Sequence, residues 1–292
     1  MLELVGEVLQ ELGLVEAQTR LHYYINISSG NTHSISAYVS PALFFQVKVS
    51  EFVDLRRESE AYAHGRTQYA ELVPRPLGYR TRGGWCIMVG EGIHHTPFQF
   101  EQASHRRHRQ TSILDGLYRY FEICGQQKPL PDQPEANASF LQGMQDHFAA
   151  TPYASIALHW LGVGRALGLH ALAPMAQHGD FAENNLACSG DRLVIFDWED
   201  YGVYHMAGLD ICSFCFSVAP HASTLRELMQ PGSAGKHALH EFVQRACTAC
   251  QLDPDFFRRL IPLYVLMLLY SRRNYGQALQ DRMAAILPEL TQ

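Results

Sequence analysis

The spacing of hydrophobic positions changes period twice in the first hundred residues. Leu2, Val5, Leu9 and Leu12 recur at helical spacing with glutamates between them, so an amphipathic helix opens the chain. Leu21 to Ser28, His33 to Ser40 and Ala42 to Val49 are rich in Tyr, Ile, Val and Phe. Ser-Ser-Gly-Asn and Ser-Pro separate them, which predicts three short antiparallel strands. The period returns to helical from Asp54 to about Tyr69. Pro74, Pro76 and Gly78 then interrupt it, and Gly83-Gly84 marks a hairpin into a strand from Trp85 to Val89. From Thr96 onward the pattern is mainly helical, except for a proline-bearing loop from Gln126 to Glu135 and a compact stretch near 178–201. The run from Leu260 to Tyr270 is apolar on all sides and predicts a buried helix. The expected fold class is α+β, with a small β-rich lobe over 1–93 and a larger helical lobe over 94–292.

Composition narrows the classes of function. With 292 residues, 47% of them hydrophobic, the chain can bury a sizeable core and is not a disordered one. A formal net charge of -6 argues against a nucleic-acid binder, and the basic cluster His105 to Arg109 is too short to change that. No apolar run approaches the ~20 residues that span a bilayer, so no membrane partner is expected. The opening MLELVGEVLQELGLVE carries glutamates where a secretory leader would carry lysines. The seven cysteines are then expected as reduced thiols in a cytoplasmic protein.

The candidate chemistry lies in His178-Gly179-Asp180-Phe181-Ala182-Glu183-Asn184-Asn185 and the LACSGDRLVIFDWED that follows. Ser189-Gly190-Asp191-Arg192 is turn chemistry between the apolar runs Leu186 to Cys188 and Leu193 to Phe196, which predicts a tight hairpin. In such a hairpin Asn185 and Asp197 emerge at the same end. An amide oxygen and a carboxylate there suit a hard cation such as Mg²⁺. Asp180 precedes them by a few residues, close enough to act on what the metal holds. Lys48 stands within the otherwise apolar run Phe44-Phe45-Gln46-Val47-Lys48-Val49, where a charge must find a partner or reach the surface. Leu55, Glu58, Tyr62 and Gly65 share one stripe of the following helix, so Glu58 faces inward while Arg56, Arg57 and Glu60 face water. The two would answer each other as an ion pair.

These residues resemble the aminoglycoside phosphotransferase and choline kinase-like family, which shares the two-lobed protein-kinase-like fold. The family pattern is His-Gly-Asp, four residues, Asn, then a hairpin ending in Asp-aromatic; His178-Gly179-Asp180, Asn185 and Asp197-Trp198 match it in order and spacing. The resemblance implies that Asp180 accepts or orients the acceptor hydroxyl proton, and that Asn185 and Asp197 hold Mg²⁺ against the phosphates of ATP or GTP. It further implies that Lys48 contacts those phosphates and is positioned by Glu58. Ser29 and Gly30 take the place of the phosphate-covering loop. Backbone groups around Met88 to Gly92, including Gly90, meet the purine between the lobes. Asp210 braces the catalytic loop without a catalytic part. The function implied is transfer of the γ-phosphate to a hydroxyl of a small molecule. Ala182 stands where protein kinases carry a lysine, which favours a small acceptor over a protein. Glu183-Asn184 replaces a frequent Pro-Gly. Glu199, Asp200, Tyr201 and Tyr204 are candidate substrate contacts; carboxylates beside rings would suit a cationic amine or amino alcohol, and Glu199 could instead contact metal.

Other signatures compete less well. Pro231 to His237 lacks the first glycine and the Ser/Thr of a P-loop. Gly162 to Gly168 has no preceding strand and so makes a poor dinucleotide fingerprint. Cys212/Cys215 and Cys247/Cys250 have zinc-ligand spacing, but both pairs sit in apolar helical context. The alternatives to a phosphotransferase are therefore a catalytically silent nucleotide-binding protein and a zinc-binding protein.

Overall fold

Helix α1 (Leu2–Glu11) leads into strands β1 (His22–Ile27), β2 (Thr32–Ser40) and β3 (Leu43–Ser50), helix α2 (Arg56–Tyr69), and strands β4 (Pro76–Arg82) and β5 (Trp85–Glu91). The computed structural model describes residues 1–27, 32–105, 111–127, 136–219, 221–230, 238–273 and 277–290. The strands form one antiparallel sheet in the order β1-β2-β3-β5-β4. Period-two alternation sorts its faces. Ile35, Ala37, Phe45, Val47, Val49, Ile87 and Val89 bury together with Val5, Val8 and Leu9 of α1. Each Val, Ile, Leu and Phe side chain among them stabilises the unit by about 1.5–3 kcal/mol. The alternate positions Ser34, Ser36, Gln46, Lys48, Met88 and Gly90 line a cavity instead.

One departure from the sequence expectation is physical. The helical pattern ends before Pro74, Pro76 and Gly78 as expected, but Pro76 and Gly78 also start a strand that the pattern did not show, β4, an edge strand with an irregular step between them. Proline is tolerated at the start of an edge strand because no neighbour needs its missing N–H. At Gly78 a Cβ would lie 2.6 Å from the Leu12 side chain, so the end of the α1 segment packs directly on the strand backbone.

The chain divides into two compact units: Met1–Pro97 with Ala187–Glu199, and Phe98–Leu186 with Asp200–Gln292. The first thus includes residues beyond 93, because the two-residue strand β6 (Thr96–Pro97) pairs with Cys188 and Ala187. It makes a three-stranded sheet with the expected hairpin, β7 (Leu186–Ser189) and β8 (Arg192–Ile195), whose turn carries Gly190 at φ 65°.

The second unit is helical: α3 (Phe100–His105), α4 (Thr111–Gln126), α5 (Ala136–Ala149), α6 (Ala154–Ala166), α7 (Leu209–Val218), α8 (Ala222–Met229), α9 (Ala238–Ala249), α10 (Pro254–Arg259), α11 (Ile261–Ser271) and α12 (Gln277–Leu290). Helix α11 is buried from Ile261 through Leu269, as its unbroken apolar run predicts. An aromatic cluster of Phe121, Phe181, Phe214 and Phe242 forms part of the core. Among the described residues no helix is long and apolar enough to cross a membrane.

Candidate active site

In the first unit the charge in β3 finds its partner. Lys48 Nζ lies 2.8 and 2.9 Å from the two carboxylate oxygens of Glu58, 3.2 Å from Asp197 Oδ1 and 3.4 Å from Glu199 Oε2. Glu58 reaches inward because Leu55, Glu58 and Gly65 share the buried stripe of α2. Burial works against the Lys48 ammonium, but Glu58, Asp197 and Glu199 together outweigh it and hold its pKa above that of an ordinary lysine. Burial pushes the Glu58 carboxyl up to about 7, against the pull of Lys48.

Asp197 is held by its neighbours. Its backbone is left-handed at φ 61°, and its N–H donates to the Tyr62 hydroxyl at 2.9 Å. Trp198 is fully buried, with its ring 5.2 Å from that of Tyr69 and its indole N–H on the Ile195 carbonyl. Gly65 allows this contact, since a Cβ there would stand 3.2 Å from the indole. A non-glycine residue at positive φ costs about 1 kcal/mol or more and concentrates at functional sites.

Lys48, Glu58, Asp197 and Glu199 line one part of a cavity of about 580 Å³, within the usual size for a small-molecule site. Rings line another part: Tyr38 stacks on Phe44 at 4.7 Å, and Phe44 meets His94 at 4.8 Å. In the sheet, Met88 lies opposite Lys48 and Gly90 opposite Gln46, and both face the cavity. Ser29, Gly30 and the segment Pro231 to His237 lie outside the described residues.

In the second unit the residues His178 to Asn185 are held from all sides. Asp210, at the start of α7, is buried. Its Oδ2 accepts from the Tyr120 hydroxyl at 2.5 Å and the His178 N–H at 2.9 Å, and its Oδ1 accepts from the Gly179 N–H at 3.0 Å. Burial pushes the Asp210 carboxyl up, and these donors pull against it. Tyr120 also stacks on Phe181 at 4.3 Å, so one α4 side chain fixes both the Asp210 carboxylate and the residue after Asp180. Gly179 has φ 85°, and a Cβ there would meet the Asp200 carbonyl at 2.6 Å, so glycine is needed for the close approach.

Asp180 accepts from Asn185 Nδ2 at 3.1 Å on Oδ2 and from Arg272 Nη2 at 2.5 Å on Oδ1. The Asn185 amide oxygen accepts from Asn184 at 3.0 Å and has a second lone pair. That oxygen is the hard type of donor that Mg²⁺ takes, and in the first unit the half-exposed Asp197 carboxylate is another of the same type. Glu183 and Asn184 are occupied by this chain's own bonding: the Glu183 carboxylate accepts from the Phe100 N–H at 2.7 Å, and its own N–H donates to Ser217.

The candidate substrate contacts divide between the two units. Glu199 sits on Lys48 in the first unit, whereas Asp200 pairs with Arg272 at 2.8 Å in the second. The Tyr204 hydroxyl donates to the Ser271 carbonyl at 2.9 Å, and its ring packs on Phe140. Tyr201 lies partly buried between them in sequence. Cys212, Cys215, Cys247 and Cys250 are buried free thiols whose pKa burial raises, which opposes the thiolate that zinc requires. Among the described residues no group of three or more His, Cys, Asp or Glu is placed to hold a metal. Arg272, Tyr120 and Ser217 were without a sequence signal: each acts through partners that only the tertiary fold supplies.

The sequence matches the model of the phosphotransferase enzyme family over residues 32–232, more than half of its length. No curated protein matches it significantly. Solved structures resemble it along nearly the whole chain. A Thermobifida fusca protein provisionally named a fructosamine-3-kinase superposes with a TM-score of 0.62 at 16% identity, covering 97% of this chain and 98% of that one. A choline kinase from Streptococcus pneumoniae gives 0.59 at 13% identity, covering 99% and 98%. The aminoglycoside phosphotransferase APH(2'')-Ib with bound ADP gives 0.58 at 13% identity, covering 98% and 97%. At these identities the likeness establishes the protein-kinase-like fold. The chain belongs to the phosphotransferase enzyme family.

Proposed function

We propose that this member of the phosphotransferase enzyme family moves the γ-phosphate of ATP or GTP to a hydroxyl of a small molecule. The observation that carries the reading is the polarised cavity of the first unit, with rings at one part and Lys48, Glu58 and Asp197 at another. A nucleotide has that same polarity, an aromatic base joined to a charged tail. Lys48 would bind phosphate oxygens and Glu58 would hold it in place. Asp197 and Asn185 would hold Mg²⁺, which when bound shields the phosphate charge. Asp180 orients the acceptor hydroxyl and takes its proton as the hydroxyl oxygen bonds to the γ-phosphorus and the bond to the β-phosphate oxygen breaks. The nucleoside diphosphate leaves, and the acceptor becomes a phosphate ester.

A hydroxylated small molecule is the acceptor class that these residues support. The carboxylates that would favour a cationic amine, Glu199 and Asp200, already face Lys48 and Arg272. The test is a panel of aminoglycosides, choline-like alcohols, sugars and hydroxy amino acids with γ-labelled ATP or GTP and Mg²⁺. At least one acceptor is expected to raise nucleotide consumption about tenfold or more over the acceptor-free rate and to carry the label. Nucleotide binding without such stimulation would instead support the catalytically silent binding protein.

The Glu58 carboxyl sets a pH dependence with a definite sign. Its pKa is raised from 4.5 to about 7, so it is ionised above that value and loses its bidentate hold on Lys48 as the pH falls through it. KM for ATP is expected to rise several-fold from about pH 8 to about pH 6. In Glu58→Gln it should stay at the raised value across that range, which steady-state kinetics at fixed Mg²⁺ would check.

A further inference from the structure

Arg272 follows the buried helix α11 and is itself 3% exposed. A guanidinium in such a place must have its charge and its donors matched. Its Nη2 donates to the Gly179 carbonyl at 2.7 Å and to Asp180 Oδ1 at 2.5 Å, and its Nη1 donates to Asp200 Oδ2 at 2.8 Å. The backbone that carries it is fixed at both ends: its N–H caps α11 on the Leu268 carbonyl, and its own carbonyl accepts from Gln280 of α12.

We infer that Arg272 is a positioning residue for phosphoryl transfer, fixing the carboxylate of Asp180; the inference rests on the reading of Asp180 as the base. The geometry is specific to that carboxylate. Arg272 takes one oxygen of Asp180 and Asn185 takes the other, so the carboxylate cannot rotate. Each oxygen has a second lone pair, which leaves room for a substrate hydroxyl. Gly179 is held through both of its peptide groups, its N–H by Asp210 and its carbonyl by Arg272. Asp200 completes the clamp by anchoring the other arm of the guanidinium. A lysine could substitute only in part, because one ammonium does not present the planar fork that reaches Asp180 and Asp200 through separate nitrogens.

Acceptor-free hydrolysis of Mg·ATP, transfer of the γ-phosphate to water, tests this in the full-length protein with Arg272→Gln, Arg272→Lys, Asp180→Asn and the double variant Asp180→Asn/Arg272→Gln. Misplacing a reacting group by ~1 Å costs on the order of 100-fold, so Arg272→Gln should lower kcat by about 30- to 100-fold while KM for ATP stays within about twofold. Arg272→Lys should recover part of the loss. The double variant should be no slower than Asp180→Asn alone, because a positioning residue has nothing left to position. Multiplying losses, or a rise in KM for ATP matching the fall in kcat, would mean that Arg272 serves only the fold and would overturn the inference. Full kcat in a folded Arg272→Gln would do the same. If Arg272→Gln does not melt cooperatively, Arg272→Lys and Asp200→Asn decide: a lower kcat at unchanged KM supports the clamp, and wild-type rates refute it. If the wild type turns over no ATP, or Asp180→Asn turns it over as fast as wild type, the base assignment itself fails and the positioning role falls with it.

Discussion

Asp197→Asn is expected to lower phosphotransfer by about a thousandfold or more while leaving stability within about 1 kcal/mol of wild type. The asymmetry follows from what holds the residue. Its backbone is fixed by the Tyr62 hydroxyl and by the buried Trp198, and its own carboxylate is 39% exposed. Asparagine tolerates the left-handed conformation, so this variant removes the charge without disturbing φ 61°. Asp197→Ala would add a backbone cost of about 1 kcal/mol to the same loss of activity. Lys48→Ala should show the opposite balance. It strips the cation from the buried Glu58, which would then take up a proton, and costs about 2 kcal/mol of stability. Its loss of rate should be smaller, because phosphate charge is still shielded by Mg²⁺. Rates with saturating Mg·ATP and thermal midpoints on the three variants check both halves. Retained activity in Asp197→Asn would refute Asp197 as a metal ligand.

How far the sequence could be read depended on whether a residue's partner was local or imposed by the fold. Lys48 stands out because a charge in an apolar strand demands an explanation, and Glu58 because helical periodicity turns it inward; each can be read from its own segment. The hairpin after Asn185 declares itself through turn chemistry. Arg272 has no such mark. Tyr-Ser-Arg-Arg at the end of a helix reads as ordinary cations near a C-terminus, and only packing brings one of them onto Asp180. Tyr120 likewise reads as one aromatic on an amphipathic helix, although it both stacks on Phe181 and donates to Asp210. Pro76 and Gly78 rightly marked the end of the helical pattern but hid the strand that they start. Their local preference is to break structure, but an edge position removes the penalty for proline, and the close approach of Leu12 demands the glycine. Thr96–Pro97 is too short to show any period, so its pairing with the hairpin could not be foreseen.

Asp210→Ala is expected to cause the largest loss of stability, about 4 kcal/mol, and to reduce phosphotransfer by about a hundredfold or more in whatever folds. Removing the carboxylate takes the acceptor from the Tyr120 hydroxyl and the Gly179 N–H, and leaves the His178 N–H with the Tyr120 hydroxyl oxygen alone, at 2.7 Å. A buried donor that loses its acceptor costs about 1–3 kcal/mol, and because these bonds share one site their costs do not simply add. Asp210→Asn is not a conservative replacement here. One oxygen could still accept from Tyr120 and His178, but the amide nitrogen would then point a donor at the donor of Gly179. We expect it to retain about half of the stability lost in Asp210→Ala and to remain slow. Affinity for ATP in the absence of Mg²⁺ should barely change in either variant, since Lys48 and Glu58 belong to the first unit and Asp210 to the second. Urea midpoints, kcat and calorimetric titration with ATP separate these effects. An Asp210→Asn protein with wild-type stability and rate would mean that the residues around Asp180 do not depend on this carboxylate, and the bracing role of Asp210 would have to be abandoned.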